Sequence, residues 1–178
     1  MNNLEKILDD SIAKVKDFPK KGILFYDITS ILLKPAVLNL IIENLYEHYS
    51  KSSIDGIIAV ESRGFIFASP LALKFNVPLI LARKKGKLPR QTISESYTLE
   101  YGQETIEIHK EDILKGKRYL LIDDLIATGG TLKAIANLVE KSGAYIAGIA
   151  AVIGLPFLNY DKLLGKYGVK TLINYSAE

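Results

Sequence analysis

The stretch Leu121-Ile122-Asp123-Asp124-Leu125-Ile126-Ala127-Thr128-Gly129-Gly130-Thr131 runs from an apolar strand through an acidic pair and a small-residue loop into a helix. Gly129 and Gly130 tolerate positive φ and close approach, so this loop can turn its backbone amides inward. The helix that follows brings free N–H groups and the positive end of its dipole, and Thr128 and Thr131 add hydroxyl donors. Ala127, Thr128, Gly129, Gly130 and Thr131 therefore read as a phosphate cradle. No Lys follows the glycines, which excludes a P-loop, and G-x-G-x-x-G is missing, which excludes a dinucleotide fingerprint. The acidic pair ahead of the cradle suits a ligand that carries a sugar. Asp123 and Asp124 can accept hydrogen bonds from ribose hydroxyls and can stabilise positive charge growing on the ring. An Asp-Asp pair alone would be an ordinary solvated strand end; the pattern as a whole is more specific.

Other residues could serve the same ligand. In Glu61-Ser62-Arg63-Gly64 an Arg stands beside a Gly where a strand leads into a helix. Its guanidinium can make paired bonds to phosphate oxygens, whereas an idle Arg there would oppose the helix dipole. Arg83-Lys84-Lys85-Gly86-Lys87, with Arg90 behind it, is the one concentration of basic charge.

The elements that must position these residues follow from hydrophobic periodicity. Residues 3–16 predict an amphipathic helix through Leu4, Ile7, Leu8, Ile12 and Val15, ended by Pro19 and Gly22. Residues 23–31 predict a loop or short strand, and 38–49 a helix on which His48 and Tyr49 pack or face solvent. The continuous apolar run at 56–60 predicts a strand buried on both faces, 119–122 another buried strand, and 78–82 and 145–153 two further strands. Helices are predicted at about 64–75, 128–142 and 158–167, a half-exposed strand at 105–109 and an edge strand at 169–174. Residues 84–96 are polar and read as mobile. This alternation predicts a single α/β domain with a mostly parallel sheet, ligands binding at the carboxyl ends of its strands, in the loops after residues 60, 82 and 122.

Composition narrows the function classes. Among 178 residues there is no Cys, which excludes disulfides, zinc–thiolate sites and thiol catalysis. Two His do not make a His-based metal cage. With 23 basic against 20 acidic residues, the charge balance does not argue for nucleic-acid binding. The first residues resemble neither a signal peptide nor a membrane span, so the expected location is the cytoplasm.

The loop after residue 122 is similar to the phosphoribosyl pyrophosphate motif of the type I phosphoribosyltransferases. Longer matches resemble the adenine phosphoribosyltransferases within that family: Asp17-Phe18-Pro19 through Phe25, Glu61-Ser62-Arg63-Gly64-Phe65, Arg83 to Pro89, and Tyr97-Thr98-Leu99-Glu100-Tyr101-Gly102. The resemblance spans roughly residues 15–155. It implies a homodimer, a magnesium requirement met through substrate and water without a dedicated protein cage, and transfer of adenine onto phosphoribosyl pyrophosphate to give AMP and pyrophosphate. It assigns Ser62, Arg63, Arg83, Lys84 and Lys87 to pyrophosphate, with Arg83 able to reach the neighbouring subunit's site, and implies a cis Glu61–Ser62 peptide. It places a lid at 84–102, with Glu100 assisting proton removal from the base, and an N-terminal hood at 1–34. In the hood, main-chain groups of Leu24, Phe25 and Tyr26 read the adenine edge and Phe25 packs on the ring. Common members carry Arg where this chain has Tyr26. The alternatives are another purine substrate (hypoxanthine, guanine or xanthine) or a non-catalytic nucleotide-sensing regulator on the same fold.

Overall fold

The computed structural model describes residues 2–99 and 102–176. Helix α1 (Asn3–Asp9) opens with a capping box between Asn2 and Glu5. Strand β1 (Ala13–Lys16) pairs antiparallel with β2 (Leu24–Asp27). The predicted helix over 3–16 thus stops well short of its expected end. Ser30 explains the break: its hydroxyl donates to the Ser11 carbonyl at 2.8 Å and accepts the Ala13 N–H at 3.0 Å, supplying partners that a helix would have supplied internally. Val15, counted on the helical stripe, is 40% exposed on the strand. Pro19 and Gly22 shape the β1–β2 connection, with a cis Phe18–Pro19 bond and Gly22 at φ +91°.

A 3₁₀ turn (Ile28–Leu33) leads to α2 (Pro35–Tyr49), which begins on Pro35, a residue preorganised for the first helical position. Then follow β3 (Gly56–Val60), α3 (Gly64–Phe75) and β4 (Leu79–Lys84). Strands β5 (Thr92–Leu99) and β6 (Gly102–His109) form an antiparallel hairpin. After them come β7 (Arg118–Ile126), α4 (Gly130–Lys141), β8 (Tyr145–Gly154), the short α5 (Asp161–Leu164) and β9 (Val169–Asn174).

The central sheet has seven strands in the order β5-β6-β4-β3-β7-β8-β9. The five from β4 to β9 are parallel, as the buried apolar runs predict, and the hairpin adds two antiparallel strands at the β4 edge. Side chains alternate across this sheet. Ile57, Ala59, Leu120 and Ile122 pack with α2 and α3 on one face, and Ile58, Val60, Leu121 and Ile149 with α4 on the other.

Three expectations change here. The polar segment predicted to be mobile supplies strand β5, and β6 is buried over residues 106–109 rather than half-exposed. The polar residues of β6 tolerate burial because each accepts a backbone N–H, Glu107 that of Gly86 at 3.0 Å and His109, through Nε2, that of Arg90 at 3.3 Å. The predicted helix over 158–167 is broken into α5 and two 3₁₀ turns. Asn159 adopts a left-handed conformation at φ 59°, and Gly165 weakens the helix that would have continued.

Candidate active site

Strand β7 runs four residues past its last pairing with β3, so Asp123 and Asp124 lie on the strand itself. The β3 side is left to the first turn of α3. Gly64 makes that approach possible, since a Cβ there would stand 2.8 Å from the Ile122 carbonyl oxygen and 3.3 Å from Asp123 Oδ1. The loop then turns into α4 through Gly129 at φ +81°, where a Cβ would also meet Leu164 at 2.9 Å. No side chain caps α4, so its first N–H groups are offered to the cleft. That cleft, about 180 Å³, is lined by Asp123 and Leu125 through Leu132, and so contains all five predicted cradle residues.

The adjacent carboxylates have different surroundings. Asp124 is 5% exposed, and its Oδ2 accepts from Arg63 Nε at 2.6 Å. Asp123 opens partly on the cleft but sets its carboxyl deep; Oδ1 accepts the Asp124 N–H at 2.8 Å. Burial, and then the neighbouring Asp124 charge, push the Asp123 carboxyl well above the usual carboxylate range, against the lowering influence of that N–H and of Arg63.

The Glu61–Ser62 peptide is cis, as expected from the resemblance, and Ser62 is exposed. Arg63 caps α3, and its guanidinium carbon stands 5.9 Å from the centre of the Phe25 ring. It therefore links the acidic strand to the N-terminal hairpin.

The basic run is held by carboxylates. Glu61 Oε2 accepts from Arg83 Nε at 3.2 Å and from the Lys84 backbone N–H at 2.9 Å. Arg83 Nη1 donates to the Lys87 carbonyl at 3.3 Å, and Lys84 Nζ to Glu104 Oε1 at 2.6 Å. Glu104 raises the pKa of Lys84, which keeps the ammonium charged. Lys87 is exposed.

A second cleft, about 230 Å³ and mostly apolar, is lined by Ile23, Leu24, Phe25, Tyr26, Arg63, Leu125, Leu155, Phe157 and Leu158. Leu125 lines both clefts, so the two are neighbours across one side chain. Phe25 is also in edge contact with Phe18 at 5.0 Å. The Tyr26 ring, by contrast, is buried and stacked at 3.9 Å on Tyr175, so what Tyr26 can offer the cleft is backbone. The sequence reading missed Leu125, Leu155, Phe157 and Leu158. Three of them follow the carboxyl end of β8, a strand end that the same rule of ligand placement would have flagged. Glu100, the expected proton acceptor, lies outside the described residues. Among the described residues no three His, Cys, Asp or Glu side chains come together as a metal site.

Comparison with known proteins bears on this arrangement. The phosphoribosyl transferase domain matches residues 27–176. The chain is 56% identical over 174 residues to the adenine phosphoribosyltransferase of Treponema denticola, covering 98% of this chain and 92% of the relative. The crystal structure of adenine phosphoribosyltransferase from Thermoanaerobacter pseudethanolicus superposes with a TM-score of 0.92 at 43% identity, covering 97% of this chain and 100% of that one. The enzyme from Saccharomyces cerevisiae, crystallised with an imino-altritol bisphosphate and adenine, gives 0.89 at 35% identity over 97% and 99% of the two chains.

Proposed function

Because the chain belongs to the phosphoribosyl transferase family, we propose that it converts adenine and 5-phosphoribosyl 1-pyrophosphate to AMP and pyrophosphate in purine salvage. The observation that carries this reading is the junction at Leu125, where a cleft that holds the anion cradle and Asp123 meets an apolar cleft. A nucleoside monophosphate has the same three parts in the same order: a phosphate, a polyhydroxylated sugar and a flat apolar base.

In this reading the 5′-phosphate sits on the amides of Ala127–Thr131, and Asp123 and Asp124 face the ribose hydroxyls. Arg63 keeps its Nε bond to Asp124 and turns its remaining N–H groups to the pyrophosphate, with the Ser62 region beside it. As the C1–O bond lengthens, positive charge builds on the sugar ring near the two carboxylates, which are fixed before the reaction starts and need little reorganisation. Arg83, Lys84 and Lys87 take up the negative charge of the departing pyrophosphate. Phe25, Leu155 and Phe157 pack on the purine faces, and backbone groups of Leu24 to Tyr26 read its edge. Glu100 accepts the proton that the attacking base nitrogen releases.

The oxygens on the cleft wall, from the Asp123 carboxylate and the Thr128 and Thr131 hydroxyls, fit magnesium, an ion that keeps several waters and binds mainly through substrate phosphates. When bound it supplies charge neutralisation at the pyrophosphate. We further read the protein as a cytoplasmic homodimer with small-molecule substrates. Among the described residues no helix is long and apolar enough to cross a membrane.

The test is incubation with magnesium, phosphoribosyl pyrophosphate and radiolabelled adenine, with hypoxanthine, guanine and xanthine in parallel. Labelled AMP from adenine is the expected result. Product from another purine alone would reassign the base, and no product from any would turn the reading to a non-catalytic nucleotide sensor.

A further inference from the structure

Tyr97, on β5, stands between two parts of the site that otherwise have separate supports. Thr131, in the first turn of α4, donates its hydroxyl to Tyr97 Oη at 3.0 Å. Tyr97 Oη donates in turn to Glu104 Oε2 at 3.1 Å, and Glu104 Oε1 accepts from Lys84 Nζ at 2.6 Å. Four side chains from α4, β5, β6 and β4 thus form one hydrogen-bonded series from the phosphate cradle to the basic strand. Burial, together with the Glu104 charge, keeps the phenol protonated and able to donate. The hairpin's other tie to α4 is separate: Glu95 accepts from Asn137 at 3.2 Å and from Lys141 at 2.6 Å, and neither donor lines the cradle.

The Thr131 hydroxyl has a single proton to give. It goes to a neutral phenol, whereas a phosphate monoester on the same helical turn would be a charged acceptor, and charge-assisted hydrogen bonds are roughly twice as strong as neutral ones. We infer that Tyr97 is a positioning residue that couples occupancy of the 5′-phosphate cradle to the hairpin beside Lys84, because Thr131 donates to Tyr97 or to phosphate but not to both. This inference rests on the reading of Ala127–Thr131 as the 5′-phosphate site. When phosphate takes the Thr131 proton, the outer part of the hairpin loses its tie to α4 while Lys84 stays paired with Glu104. That part lies beyond the pairing with β4, which covers Glu107 and Ile106 and continues to the Thr105 carbonyl, acceptor of the Lys85 N–H at 3.1 Å. The 5′ end of the sugar therefore releases the hairpin before the pyrophosphate competes for Lys84.

Amide hydrogen exchange over residues 92–109 of the full chain tests this, using ribose 5-phosphate, which has neither base nor pyrophosphate. In the wild type, ribose 5-phosphate should speed exchange in the hairpin severalfold. In Tyr97→Phe exchange should be fast already and unresponsive, and ribose 5-phosphate should bind about fivefold more tightly, the worth of one ordinary hydrogen bond no longer surrendered. Thr131→Val should reproduce the fast exchange without ligand, and Thr131→Ser should restore the wild-type response. Binding of ribose 5-phosphate with equal hairpin exchange in wild type and Tyr97→Phe would remove the coupling and leave the cradle standing. So would wild-type exchange in Thr131→Val. Failure of ribose 5-phosphate to bind the wild type would remove the cradle reading and the coupling with it.

Discussion

The loop after β7 and the basic strand end after β4 flank β3 at the same edge of the sheet, and on the proposed reading they hold anions in different ways. The loop uses main chain: Gly129 at φ +81° and amides of α4 that no side chain caps among the described residues. The basic strand end uses side chains, and these are already partnered, Arg83 with Glu61 and Lys84 with Glu104. On that reading a phosphate entering the loop competes with the Tyr97 phenol for the Thr131 hydroxyl. A pyrophosphate at Arg83 and Lys84 must compete with carboxylates. The difference suits the chemistry, since the 5′-phosphate stays with the product while the pyrophosphate has to leave.

The end of β7, which carries the acidic pair into the loop, should be the most sensitive place. Replacing both Asp123 and Asp124 by Asn should lower kcat by about 10³-fold or more, comparable to losing more than one preorganised electrostatic contact. Circular dichroism should show a folded protein; unchanged turnover would remove the acidic pair from the mechanism.

The next prediction separates the two anion sites. Gly129→Ala forces a strained backbone and a contact with Leu164, so AMP affinity in calorimetry should fall by about 10- to 100-fold, the range for charged hydrogen bonds lost together. Lys84→Ala should leave AMP affinity near wild type and raise KM for phosphoribosyl pyrophosphate. Equal losses of AMP affinity in both variants would erase the distinction.

A smaller effect sharpens it. If Lys84 is restrained by Glu104, Glu104→Gln should tighten pyrophosphate inhibition by about two- to fivefold, as expected for a largely exposed ion pair. Weaker inhibition would mean that Glu104 positions Lys84 instead of competing for it.

The smallest effect is on stability. Because the Asp123 pKa is raised in the folded protein, its ionisation favours unfolding. Stability from this group is greatest below the ordinary carboxylate pKa of about 3.9 and declines as pH rises through the raised value. Asp123→Asn escapes that decline. Its Tm should exceed the wild type's by about 2–4 °C at neutral pH for each kcal/mol relieved, and the gap should close in acid. A gap that widened in acid would contradict the assigned direction.

How much of this was legible in the sequence followed the range of the interactions. The turn after β7 was, because a glycine doublet between a buried strand and a helix is a local signal. The parallel core was, because its apolar runs need no partner to be recognised. What escaped depended on distant residues. The early end of α1 is set by Ser30, and the burial of Glu107 by the amide of Gly86. The direction of Tyr26 is set by the β1–β2 register and by Tyr175 near the other end of the chain. The apolar wall of the base cleft comes from Leu155, Phe157 and Leu158, whose types alone suggest only core. The unlike surroundings of Asp123 and Asp124 depend on α3, which Gly64 lets approach.

A crystal structure of the protein with AMP tests the central claim most directly. The account predicts phosphate oxygens about 2.7–3.2 Å from the backbone amides of residues 127–131, the ribose beside Asp123 and the adenine against Phe25 and Phe157. Nucleotide bound elsewhere, with those amides facing only water, would contradict it.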